Sequence, residues 1–365
     1  MSSINLPLDQ IILGNCLEVL ETFPENSVDL IFADPPYYLQ LQNELWRPNS
    51  TKVEAVQDEW DQFTGWEEYD EFSFAWLSAC QRILKRCGSI WVIGTYHNIF
   101  RLGKIMQDLG FWFLNDIVWI KSNPMPNFHG VRFTNAHETL IWAVKSRNVT
   151  YTFNYHSLKS LNDGLQMRSD WYIPICSGKE RIRSEGKKAH STQKPEALLY
   201  RIILATTNPG DVVLDPFFGT GTTGAVAKKV RRHWIGIETD EKYVRIARKR
   251  IDQVFPVSDD ISLLEGRKTR RIRIPCGSVL ENGLLSPGQQ LFFQGNNDLI
   301  AWITADGQLV IDGMTGSIHQ VGSQLMDGKP CNGWEHWFYR KEDGSLCSIN
   351  ELRERLRVEE TKKSI

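Results

Sequence analysis

Up to about residue 254, short apolar runs alternate with longer stretches of helical period. The runs Val28–Ala33, Ser89–Gly94, Asp116–Ile120, Thr139–Val144, Val212–Leu214 and Trp234–Ile237 are rich in β-branched and aromatic residues and read as buried strands. Between them, Phe72–Arg86, Asn98–Leu109, Pro195–Thr206, Thr222–Val230 and Glu241–Val254 repeat apolar side chains at helical spacing. This alternation predicts an α/β fold, a mostly parallel sheet with helices on both faces.

Past residue 255 the pattern changes. Residues 256–271 are polar and basic and read as a linker after a catalytic domain spanning 1–255. Asp-Gly pairs then begin at 306, 312, 327 and 343, each beside short apolar runs, which are hairpin signals. A small β-rich domain is therefore expected over 272–358, closed by a short helix at Ile349–Arg357 and followed by a polar tail, 359–365.

Composition narrows the class. Of 365 residues, 41% are hydrophobic and 24% charged, which is ordinary for a globular protein. The opening MSSINLPLDQ has no basic flank leading into an apolar run, and no membrane span is visible, so a cytoplasmic location is expected. Seven cysteines without a CxxC pair argue against a disulfide framework or a zinc site, and no metal is expected. The net charge of -2 is unevenly spread: residues 54–71 are acidic, whereas 179–194, 228–250 and 267–273 are rich in Lys and Arg. Such segregation can give a nearly neutral protein a basic face.

The chemistry lies in two stretches. In VVLDPFFGTGTTGAVAKKV, residues 212–230, Gly219, Gly221 and Gly224 have the GxGxxG spacing between a strand and a helix, and the next strand ends in Glu238. Glycines let the backbone approach a nucleotide, and an acid at the following strand end can accept from ribose hydroxyls. A nicotinamide dinucleotide would place this fingerprint early in its domain, with pyrophosphate at the helix start. Here bulky Phe217 and Phe218 fill the loop, which suits S-adenosylmethionine, an adenosine cofactor without phosphate. The loop places Asp215, Phe217, Gly219, Thr220, Gly221 and Thr222 on that cofactor.

The second stretch, Asp34-Pro35-Pro36-Tyr37, ends the Val28–Ala33 strand far earlier in the chain. Ligands of parallel α/β sheets bind outside the carboxyl ends of the strands. Two prolines stiffen the backbone and remove its donors, leaving a rigid row of acceptors. Such a row beside an aromatic ring suits an exocyclic amino group. Asp34 would accept one N–H, the Pro35 carbonyl the other, and Tyr37 would stack on the base. The expected reaction is direct displacement at a sulfonium methyl without a covalent enzyme intermediate.

These motifs resemble those of the β-class DNA amino-methyltransferases, whose catalytic motif precedes the cofactor motif in a permuted form of the fold. GNCLEVL at 14–20, HSTQKPEAL at 190–198 and ETDEKYVRIARKRI at 238–251 extend the likeness. In length and in GSIHQVGSQLMDGKPCNGWEHW, 316–337, the chain resembles the cell-cycle-regulated adenine methyltransferases of CcrM type. The resemblance implies a Rossmann-like, S-adenosylmethionine-dependent fold and N6-methylation of adenine in 5'-GANTC-3'. It also implies a homodimer in the bacterial nucleoid, working in cell-cycle control or restriction-modification. By the same resemblance Lys194 lies near the methionine carboxylate, Asp215 near its amino group, Glu238 at the ribose and Asn15 at the adenine, with Asp34, Cys16 and Thr239 as further cofactor residues. The family commonly has Asp where this chain has Asn15.

Duplex DNA must surrender the adenine by base flipping, which costs a few kcal/mol. The loop 39–63 is long enough to act as a clamp over DNA, though its acidic second half suits a protein surface better. Lys121, Asn123, Arg132 and Asn135 in the 121–138 segment, and Arg267, Lys268 and Arg270 in the linker, are expected DNA contacts. Asn332 and Trp334, around an Asn-Gly turn, are expected to read and stack on bases. His137 and Glu138 are expected to brace the 121–138 loop.

Overall fold

A computed structural model of the chain describes residues 6–39, 61–127, 130–184, 187–190, 192–257, 264 and 274–363. Most of the expected clamp (40–60) and the linker residues Arg267, Lys268 and Arg270 lie outside the described residues. The chain divides into two compact units, Met1–Lys268 and Thr269–Ile365.

The first unit runs β1 (Gln10–Leu13), α1 (Cys16–Glu21), β2 (Val28–Ala33), α2 (Trp66–Ile83), β3 (Leu84–Gly94), α3 (Ile99–Asp108), β4 (Trp112–Lys121) and β5 (His137–Val144). It continues through α4 (Tyr155–Leu161), β6 (Asp170–Ile173), a small ribbon β7 (Arg183–Ser184) and β8 (Lys187–Lys188), then α5 (Glu196–Thr206), β9 (Val212–Asp215), α6 (Thr222–Lys229), β10 (His233–Glu238) and α7 (Glu241–Asp252). The eight-stranded sheet has the order β1-β10-β9-β2-β3-β5-β4-β6. Strands β1, β10, β9, β2 and β3 are parallel, as are β4 and β6, while β5 runs antiparallel to both its neighbours.

Central strands carry apolar side chains on both faces because helices cover both. Alternate residues of β2 separate accordingly: Ile31 and Ala33 enter one core with Leu20, Trp76, Leu77 and Leu102. Leu30 and Phe32 enter the other, with Trp91, Leu198, Ile202, Val226 and Ala247. A strand buried on both sides thus reads as a continuous apolar run rather than an alternating one. Each fully buried large side chain stabilises the sheet by roughly 1.5–3 kcal/mol.

This strand order explains how motifs so far apart in the chain meet. β2 lies beside β9, with Ile31 opposite Leu214. β9 lies beside β10, with Asp215 opposite Gly236, and β10 beside β1, with Glu238 opposite Leu13. The carboxyl ends of four adjacent parallel strands therefore present Asp34, Asp215, Glu238 and Asn15 along one edge.

The second unit holds α8 (Cys276–Glu281), β11 (Gln290–Phe293), β12 (Ile300–Ile303), β13 (Leu309–Ile311), β14 (Met314–Gly316), α9 (Ile318–Leu325), α10 (Gly333–His336), β15 (Trp337–Arg340), β16 (Leu346–Ser348) and α11 (Ile349–Lys363). Its six-stranded sheet, β14-β13-β12-β11-β15-β16, is antiparallel and encloses a core that includes Val279, Leu291, Phe293, Ile303, Val321 and Trp337. Three of the Asp-Gly pairs lie in hairpins, at 306, 312 and 343. The fourth does not: Asp327 and Gly328, both at positive φ, follow α9, and the Gly328 amide donates back to the Ser323 carbonyl. A pair able to adopt positive φ serves a helix end as well as a hairpin. Helix α9, which starts with a capping box between Ser317 and Gln320, is not among the elements expected from sequence.

Candidate active site

The glycine loop leaves β9 through two residues that require positive φ, Gly219 at 52° and Gly221 at 75°. A β-carbon at Gly221 would also lie 2.9 Å from the Ala247 β-carbon on α7. Gly236 on β10 allows the Phe218 ring to lie against the strand, where an added β-carbon would meet the ring at 2.3 Å. Phe218 stacks on Trp234 with centroids 5.6 Å apart, and Phe217 packs edge-on to Trp76 at 5.2 Å. The two bulky residues thus hold the loop between the two cores.

Asp215, at the β9 tip, is 3% exposed. Its carboxylate accepts from the Thr223 hydroxyl at 2.5 Å and the Phe217 amide at 3.0 Å. Burial pushes its pKa up to about 7, and the largest opposing influence is the neutral Thr223 hydroxyl. A cationic amine arriving beside Asp215 would therefore be favoured. Glu238 accepts from the backbone amides of Gly219 (2.7 Å), Thr239 (2.8 Å) and Asp240 (2.9 Å), so it organises the loop as well as facing the cavity. Asn15 caps α1, accepting from the Leu17 amide at 2.9 Å. An amide in place of the family's Asp keeps this cap.

The Asp34–Tyr37 segment is clamped from behind. The Pro36 carbonyl accepts from the Tyr69 hydroxyl at 2.9 Å and the Asn98 amide at 3.3 Å, and Asn98 also donates to the Tyr69 oxygen. Tyr38 sits at φ 49°, a costly conformation for an aromatic residue. Asp61 secures the turn by accepting from the Tyr38 and Leu39 amides at 2.6 and 3.0 Å, while the Tyr38 ring packs on Phe63, Trp66 and Tyr69. Tyr38 is thus a buried anchor.

A buried charge cluster surrounds Asp34. Lys194 donates to both its oxygens, at 2.9 and 2.7 Å, and the Tyr37 hydroxyl donates to one at 2.8 Å. The same hydroxyl lies 3.2 Å from Glu138, whose other oxygen pairs with Lys121 at 2.8 Å. Burial raises the Asp34 pKa, and Lys194 opposes this. Burial would raise Glu138 too, but Lys194 and Lys121 outweigh it and hold that carboxyl below its usual range. Lys194 is held protonated, since Asp34 and Glu138 outweigh the effect of burial.

One cavity of about 290 Å³ unites the two motifs. Its walls include Asn15, Cys16, Asp34, Pro35, Pro36, Tyr37, Lys194, Asp215, Phe217, Gly219, Thr220, Thr222, Glu238 and Thr239, so the catalytic residues and all the cofactor residues expected from sequence except Gly221 line it. Buried carboxylates, an aromatic wall and backbone turns fit a cofactor carrying an amine, an adenine and a ribose. His190, Thr192, Gln193, Thr223 and Tyr243 also line the cavity and were not expected. His190 and its neighbours were legible only as part of a matching segment. Tyr69 and Asn98 carry no sequence signal for the Pro36 clamp, since they arrive from the α2 and α3 regions.

The expected DNA contacts divide. Lys121 is not a free cation: it lies in the buried pair with Glu138, because the antiparallel pairing of β4 with β5 sets Ile120 opposite His137. Asn123 uses its oxygen to accept from the Ile175 amide at 2.8 Å. Arg132 and Asn135 remain exposed, Arg132 donating to the Tyr96 hydroxyl at 2.8 Å, beside Phe133 at 99% exposure. In the second unit Asn332 is exposed ahead of α10, but Trp334 is buried at 5% under the Arg353 guanidinium. Trp334 is a core residue of the second unit rather than an exposed stacking surface, because the chain after Asn332 turns into a helix rather than a hairpin. Among the described residues no cluster could hold a metal ion and no helix could cross a membrane.

The chain is similar to known proteins. Residues 28–249 match the family described as DNA methylase, and residues 260–362 the family described as Restriction Enzyme Adenine Methylase Associated. The type II methyltransferase M.HinfI of Haemophilus influenzae is 48% identical over 352 residues, 96% of this chain and 97% of that protein. The type II methyltransferase M2.DpnII of Streptococcus pneumoniae is 40% identical over 240 residues, 66% of this chain and 88% of that protein. The crystal structure of the M1.HpyAVI–SAM complex is similar at a TM-score of 0.50 with 26% identity, covering 67% of this chain and 98% of that one.

Proposed function

Because the chain belongs to the DNA methylase family, we propose that it methylates N6 of a flipped-out adenine within 5'-GANTC-3' of duplex DNA, as an enzyme of the cell-cycle-regulated GANTC type. The observation that carries this reading is the adjacency of β2 and β9, which brings the Asp34–Tyr37 acceptors and the glycine loop into one cavity.

S-Adenosylmethionine, when bound, supplies an electrophilic methyl group. Asp215 would hold its amine, Glu238 and Thr239 its ribose, and Asn15, Cys16 and Phe217 its adenine. Across the cavity, Asp34 and the Pro35 carbonyl would accept the two amino hydrogens of the target base while Tyr37 covers its ring. Fixing both hydrogens directs the nitrogen lone pair at the methyl, and orientation of this kind is worth about 7–11 kcal/mol. The Tyr69–Asn98 clamp on the Pro36 carbonyl and the Asp61 turn would hold the backbone that carries these acceptors in place. The Arg132–Asn135 loop, Asn332, and Arg267, Lys268 and Arg270 would contact DNA, and a homodimer would carry two such sites.

The test is to incubate unmethylated plasmid with protein and S-adenosylmethionine and map modified bases by modification-sensitive sequencing. N6-methyladenine confined to GANTC supports the reading; N4-methylcytosine, or adenine methylated elsewhere, overturns it.

A further inference from the structure

The acceptor role of Asp34 meets a competitor. Both its oxygens, where an amino group must donate, already accept from the Lys194 ammonium at 2.9 and 2.7 Å. Lys194 is 7% exposed, so leaving Asp34 for water would mean carrying a cation out of the interior. A second carboxylate is within reach: Glu138 lies 3.8 Å from the same Nζ and is 8% exposed. Glu138 is fixed by Lys121 on its other oxygen, while the Tyr37 hydroxyl, whose one proton goes to Asp34, lies 3.2 Å from it. Asp34, Glu138, Lys121 and Lys194 form two acids and two bases, so a shift of Lys194 between the acids leaves the total charge unchanged.

We propose that Glu138 is a positioning residue that receives Lys194 when the target amino group takes its place on Asp34. Lys194 then acts as a removable plug. In the free protein it satisfies both Asp34 oxygens, and in the reacting complex it moves onto Glu138, whose nearer oxygen lies 3.8 Å from its Nζ in the free protein. Only the fraction of molecules with Lys194 on Glu138 offers Asp34 to the base, so neutralising Glu138 lowers the competent fraction and the rate with it. This inference rests on the reading of Asp34 as acceptor of the amino group.

Single-turnover methyl transfer on a GANTC duplex and cofactor affinity, both with full-length protein, test it through double-mutant cycles. Glu138→Gln should slow transfer roughly tenfold or more while cofactor affinity stays within about threefold. In a Lys194→Gln background the second substitution should cost less than about twofold, and in a Tyr37→Phe background its full factor. Glu138→Asp, which keeps the charge, should restore most of the rate. An unchanged rate in Glu138→Gln would place Lys194 elsewhere, such as on the cofactor's carboxylate, and overturn the proposal. So would an undiminished cost in the Lys194→Gln background, or a cost that vanishes with Tyr37→Phe. If Lys194→Gln does not fold, the Tyr37→Phe cycle and the Glu138→Asp rescue decide. A fully active Asp34→Asn would instead refute the acceptor reading itself.

Discussion

The Tyr37 hydroxyl donates to Asp34 at 2.8 Å, so the aromatic ring and the carboxylate of the acceptor row are one rigid unit. The sequence alone predicts a stacking role for Tyr37. The contact adds a second one, orienting the carboxylate. Tyr37→Phe should therefore lose about tenfold in single-turnover transfer, the worth of one charge-assisted hydrogen bond. Tyr37→Ala should lose considerably more, and Tyr37→Trp less than Tyr37→Ala. A fully active Tyr37→Phe would remove the hydroxyl from the account, and equal losses for Phe and Ala would remove stacking.

Asp215 predicts a pH dependence for cofactor binding. Burial lifts its pKa to about 7, so the free protein holds a neutral carboxyl below that pH, whereas a cationic amine prefers the carboxylate. Cofactor affinity should rise as pH increases towards 7, by up to about tenfold per unit, and level off above it. The folded chain also retains this proton where the unfolded chain has lost it, so the contribution of Asp215 to stability falls as pH rises from about 4 to 7. Titration calorimetry between pH 5.5 and 8.5 measures the affinity profile. Asp215→Asn should flatten it, and a profile unchanged by that substitution would contradict the assignment.

The parts of the site legible in the sequence are those set by local chemistry. A strand ending in Asp-Pro-Pro-Tyr and a loop with glycines at 219 and 221 announce themselves, since few residues tolerate those backbones. Their meeting was legible only as far as a parallel sheet could be inferred; the pairing of Ile31 with Leu214 is a matter of topology. What stayed hidden depends on partners far away in sequence. Lys121 looks like a DNA contact until Glu138 is seen beside it, and Trp334 looks like a stacking residue until Gly333 is packed on the Ile318 carbonyl, where a β-carbon would come within 2.3 Å. β1 escaped notice because it is a four-residue edge strand with exposed ends and too little apolar pattern to show.

Arg132, exposed beside Phe133, is expected to contact DNA phosphate. Arg132→Ala should weaken DNA binding across all sequences and reduce the slope of log affinity against log salt by about one. Fluorescence anisotropy across a salt series reads both. An unaltered slope would take Arg132 out of the interface.

The second unit has its own sheet and core, with Trp337 fully buried. Deleting residues 269–365 should leave cofactor affinity within about threefold while lowering affinity for, or selectivity among, duplexes by tenfold or more. Competition binding with GANTC and scrambled duplexes checks this. An unchanged preference would show that the first unit reads the sequence alone.

Asp34→Asn probes the proposed hold of Asp34 on the reacting amino group. The substitution keeps the shape and removes the charge and one acceptor. Single-turnover transfer should fall at least about a thousandfold while cofactor affinity, measured on the same sample, stays within about threefold. Transfer within tenfold of the unaltered protein would show that Asp34 does not hold the amino group.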